Sequence, residues 1–222
     1  MSDIIIPTGN TGNIIQSVNF KEYGTYENKL PSHLSNAVKE KLTEIELNIT
    51  QFELLHESDP ILHTEPLSWN FDEMPNPSRM YLVMLENMVA HYGLGLSANQ
   101  IGMPVKVFAM RVDESDNAIV CFNPEIIEES DETVMMKEGC LSYPELFLNV
   151  KRPQTIEAKY QNKAGDWINV HFEGLAARIF HHEMDHMKGQ TFLSRVSKVF
   201  LQSARRKQKK LLRKGRQNGR TD

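Results

Sequence analysis

An α+β fold, with mostly antiparallel strands around a buried helix and a basic C-terminal helix, is what the sequence predicts. Three observations predict it. Pro77–His91 has helical spacing, short alternating or apolar runs fill the stretch from Val105 to Phe172, and helical spacing returns from Gly174.

The elements follow in chain order. Residues 1–50 read as an appendage: Met1–Tyr26 mixes Gly, Asn and Thr with short apolar pieces, and Pro31–Thr50 reads as one helix opened by Ser32. Neither stretch carries visible chemistry. The next helix, Pro77–His91, lines up Met80, Val83, Met84, Asn87 and Met88 along one side. It is expected to stop at Gly93-Leu94-Gly95, because glycine reaches conformations closed to other residues. Val105–Met110 and Ala118–Phe122 are apolar runs of strand length. Thr155–Tyr160 and Trp167–Phe172 flank Asn162-Lys163-Ala164-Gly165, which predicts a hairpin. Gly174–Lys188 is helical and ends at Gly189, while Val196–Lys214 is helical in its residue preferences.

A chain of 222 residues suits one ordinary domain with appendages. Its hydrophobic share of 40% and charged share of 24% are those of a globular protein, and no apolar run is long enough to span a bilayer. The first residues lack a basic segment and a cleavage site of small residues, so the expected location is cytoplasmic. Two cysteines, Cys121 and Cys140, are too few for a disulfide scaffold, and each reads as a buried thiol or a ligand. The net charge of -4 hides an asymmetry, because ten Lys or Arg stand against one acid from Val196 onward. An acidic body with a basic tail suggests an anionic partner, RNA first, with a merely solvated helix as the alternative.

The sharpest chemical signal is His182-Glu183-Met184-Asp185-His186, an H-E-x-x-H inside a predicted helix. Residues four apart lie on one helical face, so both imidazoles can reach a single ion. Glu183, one residue on, can contact a water at that ion without ligating it. The helix is apolar nearly all round: Leu175, Ile179, His182 and His186 form one stripe, and Phe180, Met184 and Met187 another. That places the polar motif in the interior, where imidazole and carboxylate are costly unless paired or bound to metal.

This pattern first suggests a metalloprotease, which must then supply a third ligand. The extended H-E-x-x-H-x-x-G-x-x-H form fits through Gly189 and fails at Phe192. No Glu follows Glu183, so a ligand from a downstream helix is missing too. The third ligand must come from upstream, where Cys121, Cys140, several histidines and many carboxylates are candidates. Cys121 lies in an apolar strand and reads as a structural thiol. Cys140 lies in Glu138-Gly139-Cys140-Leu141-Ser142-Tyr143-Pro144, a turn bounded by Gly and Pro that could present its side chain.

Three separated segments, Gly93–Gln100 (GLGLSANQ), Glu138–Ser142 (EGCLS) and His182–His186 (HEMDH), together resemble the peptide deformylase family in order and spacing. The likeness covers about Asp59–Arg195, which divides the chain into residues 1–58, an N-terminal extension, 59–195, a catalytic domain, and 196–222, a basic helix and tail. Ser97 replaces the usual alanine, His181 the usual glutamine and Met187 the usual leucine, leaving every expected catalytic position filled.

The resemblance implies removal of the formyl group from N-formylmethionyl nascent peptides, with release of formate. It implies Cys140, His182 and His186 as ligands of one divalent metal ion, Fe2+ in type, with Zn2+, Ni2+ or Co2+ also suited to the site. It further implies Glu183 as the acid–base residue, with Gln100 and the backbone N–H of Leu141 as oxyanion donors. Leu94, Gly95, Glu138 and Ile179 would fall near the methionyl residue, and Asp185 reads as a group that orients the helix. By the same resemblance, the basic C-terminal helix is expected to help docking on ribosomes, and no membrane partner is expected. The alternatives are an H-E-x-x-H metalloprotease and a catalytically silent module that binds metal or peptide.

Overall fold

The computed structural model describes residues 51–74, 76–113 and 117–218. The expected helix over Pro31–Thr50 lies outside the described residues. The first helix, α1 (Pro77–Ala90), starts at Asn76, whose side chain accepts a 2.9 Å hydrogen bond from the Arg79 N–H. It buries the expected stripe of Met80, Val83, Met84, Asn87 and Met88. The polar member of that stripe is satisfied locally. Asn87 Oδ1 accepts from the Phe52 N–H at 2.7 Å, and its amide donates to the Val83 carbonyl at 2.9 Å.

The end of α1 departs from expectation in its cause. Tyr92, not a glycine, takes the left-handed conformation (φ 55°). Its N–H bonds to the Val89 carbonyl and the Gly93 N–H to the Met88 carbonyl, which together close the helix. Gly93 is needed for space instead: a Cβ there would lie 2.9 Å from the Gly95 carbonyl and 3.0 Å from Leu141.

Seven strands form two sheets. The larger runs β1-β2-β3-β6-β7, antiparallel throughout, with β1 at Gly95–Ser97, β2 at Val107–Arg111, β3 at Ala118–Glu129, β6 at Thr155–Gln161 and β7 at Trp167–Glu173. The expected hairpin joins β6 to β7, with Gly165 at φ 89°. A separate pair contains β4 (Thr133–Cys140) and β5 (Tyr143–Pro153).

The five-stranded sheet is covered on both faces. Val107, Ala109, Val120 and Phe122 point toward α1, while Phe108, Met110, Ile119 and Cys121 point to the second helix, α2 (Gly174–His186). Strands covered on both faces lose the alternation of a half-buried strand, so β2 and the start of β3 read as continuous apolar runs. The fold is thus α+β with mostly antiparallel strands.

The third helix, α3 (Lys198–Asn218), turns Leu201, Ala204 and Gln208 toward the cluster formed by Tyr143, Leu146, Leu148, Val150 and Phe192. Val199, Leu211 and Leu212 of this helix are exposed. Residues 51–58, read from sequence as part of the extension, are bonded to the body: the Leu55 N–H donates to the Gln100 carbonyl, and Glu57 pairs with Arg205. Among the described residues no helix is long and apolar enough to cross a membrane.

Candidate metal centre

Helix α2 positions most of the site. Its apolar residues Ala176, Ala177, Ile179, Phe180 and Met184 are buried, and so are Arg178, His181, Glu183, Asp185 and His186. A helix this deep must satisfy its polar groups inside the protein. Many of those groups are met by β1, the two-stranded sheet and the 3-10 turn Ala98–Ile101 that follows β1.

His182, His186 and Cys140 meet at one point. One ligand atom from each lies within 4.8 Å of the others, and Cys140 Sγ is 3.4 Å from His186 Nε2. Cys140 is the last residue of β4, at a break in register against β5 that re-aims the chain next to Leu141 and Ser142. Cys121 lies far back in the sheet core, fully buried, and burial pushes its thiol pKa well up.

The surroundings of His182 are built from charge. Its Nδ1 is 3.2 Å from Glu138 Oε2. The Glu138 carboxylate also receives Arg152 Nε at 2.7 Å and Arg178 at 2.8 Å. Burial alone would raise the Glu138 pKa, but Arg152, His182 and Arg178 outweigh it and hold the group well below the usual carboxylate range. Burial would likewise lower the pKa of His182, yet Cys140 and Glu138 together hold it well above the ordinary histidine value. At His186, burial followed by the neighbouring His182 pushes the pKa down to about 3. Arg152 extends the network to Asp185 at 3.0 Å, and Asp185 is bonded in turn by Arg195.

Glu183 is 2% exposed, and burial raises its pKa, against the opposing influence of His182 and Ser97. Ser97 Oγ donates to Glu183 Oε2 at 2.6 Å. Gln100 is held at both ends: its Oε1 accepts from the Ser97 N–H at 2.9 Å, and its Nε2 faces Cys140 Sγ at 3.4 Å and Ser142 Oγ at 3.2 Å. Gly95 borders both helix residues, since a Cβ there would lie 2.3 Å from Glu183 Oε1 and 2.9 Å from Ile179. Leu94 is half exposed beside this edge.

The structure therefore brings Cys140, His182, His186, Glu183, Gln100, Gly95 and Ile179 together. Glu138, expected near the methionyl residue, has its carboxylate taken up by Arg152, Arg178 and His182. Phe192, where a protease of the extended pattern would need histidine, packs its ring 5.6 Å from the His182 ring. Sequence reasoning missed Arg152 and Arg178. A cation at an inward position of β5, after Leu146, Leu148 and Val150, was the available signal for the first.

Comparisons with known proteins place the chain in a family. The family model described as polypeptide deformylase matches residues 52–201. The peptide deformylase of Thermotoga maritima is 40% identical over 141 residues, which cover 63% of this chain and 83% of that protein. The peptide deformylase of Bartonella henselae is 41% identical over 130 residues, covering 57% and 74%. Among solved structures, the Thermotoga maritima peptide deformylase superimposes with a TM-score of 0.63 at 34% identity, covering 67% of this chain and 99% of that one. A peptide deformylase from Legionella pneumophila gives a TM-score of 0.68 at 28% identity, covering 78% and 100%. With its family match spanning more than half of the sequence, the chain belongs to the polypeptide deformylase family.

Proposed function

We infer that this chain hydrolyses the N-formyl group of N-formylmethionyl peptides from nascent proteins, giving formate and a free α-amino group. The observation that carries this reading is the convergence of Cys140, His182 and His186 beside Glu183 and Gln100, in a chain of this family.

The residues suit a divalent metal. A thiolate with two imidazoles is a donor set that leaves a further position open. Glu138 engages Nδ1 of His182, which leaves Nε2 of that ring for the ion. Nδ1 of His186 has no hydrogen-bond partner among the described residues, while its Nε2 faces the Cys140 sulfur. Ferrous iron is the ion we propose, with zinc, nickel or cobalt as other occupants of the same donor set. When bound, such an ion acts as a Lewis acid that makes water nucleophilic near neutral pH.

The protein's own groups do the rest. Glu183 accepts a proton from the attacking water, then delivers one to the leaving nitrogen as the C–N bond breaks. Gln100 Nε2, fixed by the Ser97 N–H at its other end, and the backbone N–H of Leu141 donate to the oxygen that gains charge in the tetrahedral state. Leu94, Gly95 and Ile179 border the space assigned to the methionyl side chain. In this reading Glu138 orients His182 instead of touching the substrate. Residues 59–195 carry the catalysis, residues 196–222 form a basic arm for ribosome contact, and cytoplasmic placement suits a nascent-chain substrate.

The test is formate release from formyl-Met peptides by iron-loaded protein kept without oxygen. Formate is expected. Metal uptake and peptide binding without formate would favour a silent binding module, and cleavage of internal peptide bonds would favour a protease.

A further inference from the structure

We infer that Ser97 is a positioning residue for this reaction: its hydroxyl and the bare Cα of Gly95, two residues apart on β1, form a cradle that holds the Glu183 carboxylate in one orientation. The inference rests on the acid–base role assigned to Glu183 above.

Alternate residues of a strand face the same side, so Gly95 and Ser97 both look toward α2. They treat the two carboxylate oxygens differently. Ser97 Oγ donates to Oε2 at 2.6 Å, and both groups are buried. Oε1 instead lies over Gly95, so close that a Cβ there would be 2.3 Å away. One oxygen is therefore bonded and the other is given room. With Oε2 held by the hydroxyl, Oε1 is the oxygen left to carry the proton in transit.

Serine suits this position for a second reason. A hydroxyl can donate to a carboxylate and can also accept from a carboxylic acid, so the contact survives proton transfer to Glu183. The backbone of Ser97 acts as well. Its N–H fixes the Gln100 carbonyl at 2.9 Å, so the Gln100 amide group faces Cys140. One residue thus sets the acid–base carboxylate through its side chain and the oxyanion donor through its backbone.

The experiment compares Ser97→Ala and Ser97→Cys in the native protein and in a Glu183→Gln background, with metal content and melting temperature measured for each. Cysteine keeps nearly the same size but donates weakly, so it controls for the space left by alanine. In the native background both variants are expected to lose kcat by roughly 10- to 150-fold, the scale of one hydrogen bond to a charged group, with KM unchanged. In the Glu183→Gln background the same substitutions should change the residual rate by less than about twofold, because the group being positioned is already gone. A Ser97→Ala variant with native kcat would overturn the inference, and so would equal losses in both backgrounds, which is the pattern of a structural role. Normal turnover by Glu183→Gln alone would instead overturn the assignment of Glu183.

Discussion

Nδ1 of His182 lies 3.2 Å from Oε2 of Glu138, and that carboxylate is itself clamped by two buried arginines. The imidazole is thereby bonded to a carboxylate that three side chains hold in place.

Replacing Glu138 with Gln should therefore injure both folding and metal retention. Arg178 would be left buried without its counter-charge and Arg152 with Asp185 alone, a loss of about 3–5 kcal/mol by the scale of broken buried pairs. Metal affinity should fall by about 10- to 100-fold, as for other partners of ligating histidines. The sign of the pH effect follows from the depressed pKa. Stability contributed by Glu138 is present in full above the ordinary glutamate value and is lost as pH falls through the folded-state value. Acid titration of the native protein and the variant, with metal analysis, checks all three expectations. Equal acid stability would refute the clamp.

Glu183→Gln should keep the metal and lose deformylation by about 10²–10⁴, the range for a positioned acid–base group. Kinetics on a sample of confirmed metal content decide it, and near-native turnover would show that the proton passes elsewhere.

The two thiols should behave in opposite ways. Cys140→Ser should release metal readily, whereas Cys121→Ser changes only a core contact and should retain it. The iron-loaded protein should also lose activity in air faster than the nickel- or zinc-loaded one, because iron and its thiolate can both be oxidised. Metal stripped by the Cys121 change alone would mean that the wrong sulfur has been assigned.

The basic helix offers a test by charge instead of by deletion. Leu201, Ala204 and Gln208 pack α3 against the body, and Arg205 pairs with Glu57, so truncation would uncover the Tyr143 cluster. Arg206, Lys207, Lys209, Lys210, Arg213 and Lys214 are all exposed. Reversing four of them to Glu should leave the rate on short formyl peptides unchanged. Cosedimentation with ribosomes should be lost at low salt, where phosphate contacts are strongest. Equal pelleting of both proteins would show that the arm has another use.

How much could be read beforehand varied with how locally each feature is encoded. Helix α1, the β6–β7 hairpin and α2 repeat their pattern over many residues, and each lies close to its expected bounds. The β4–β5 pair was not legible as strands. Half of β4 is exposed, and β5 places Arg152 where its inward series calls for an apolar residue. Of the site, the H-E-x-x-H pair follows from helical period alone. Cys140 was one upstream candidate among several until the resemblance singled it out. The Glu138–Arg152–Asp185–Arg195 chain joins residues far apart in sequence, and no local periodicity announces such a set. The Gly93 turn misled because glycine was credited with a backbone twist that Tyr92 performs.

The division into two sheets has a consequence for how the centre is assembled. Both imidazoles come from α2, packed on the five-stranded sheet, and the sulfur comes from the end of the two-stranded one. The donor triangle is therefore a seam between two separately hydrogen-bonded units. An ion seated there would work as a rivet as well as a reagent, coupling the rigidity of the body to the state of a single thiol.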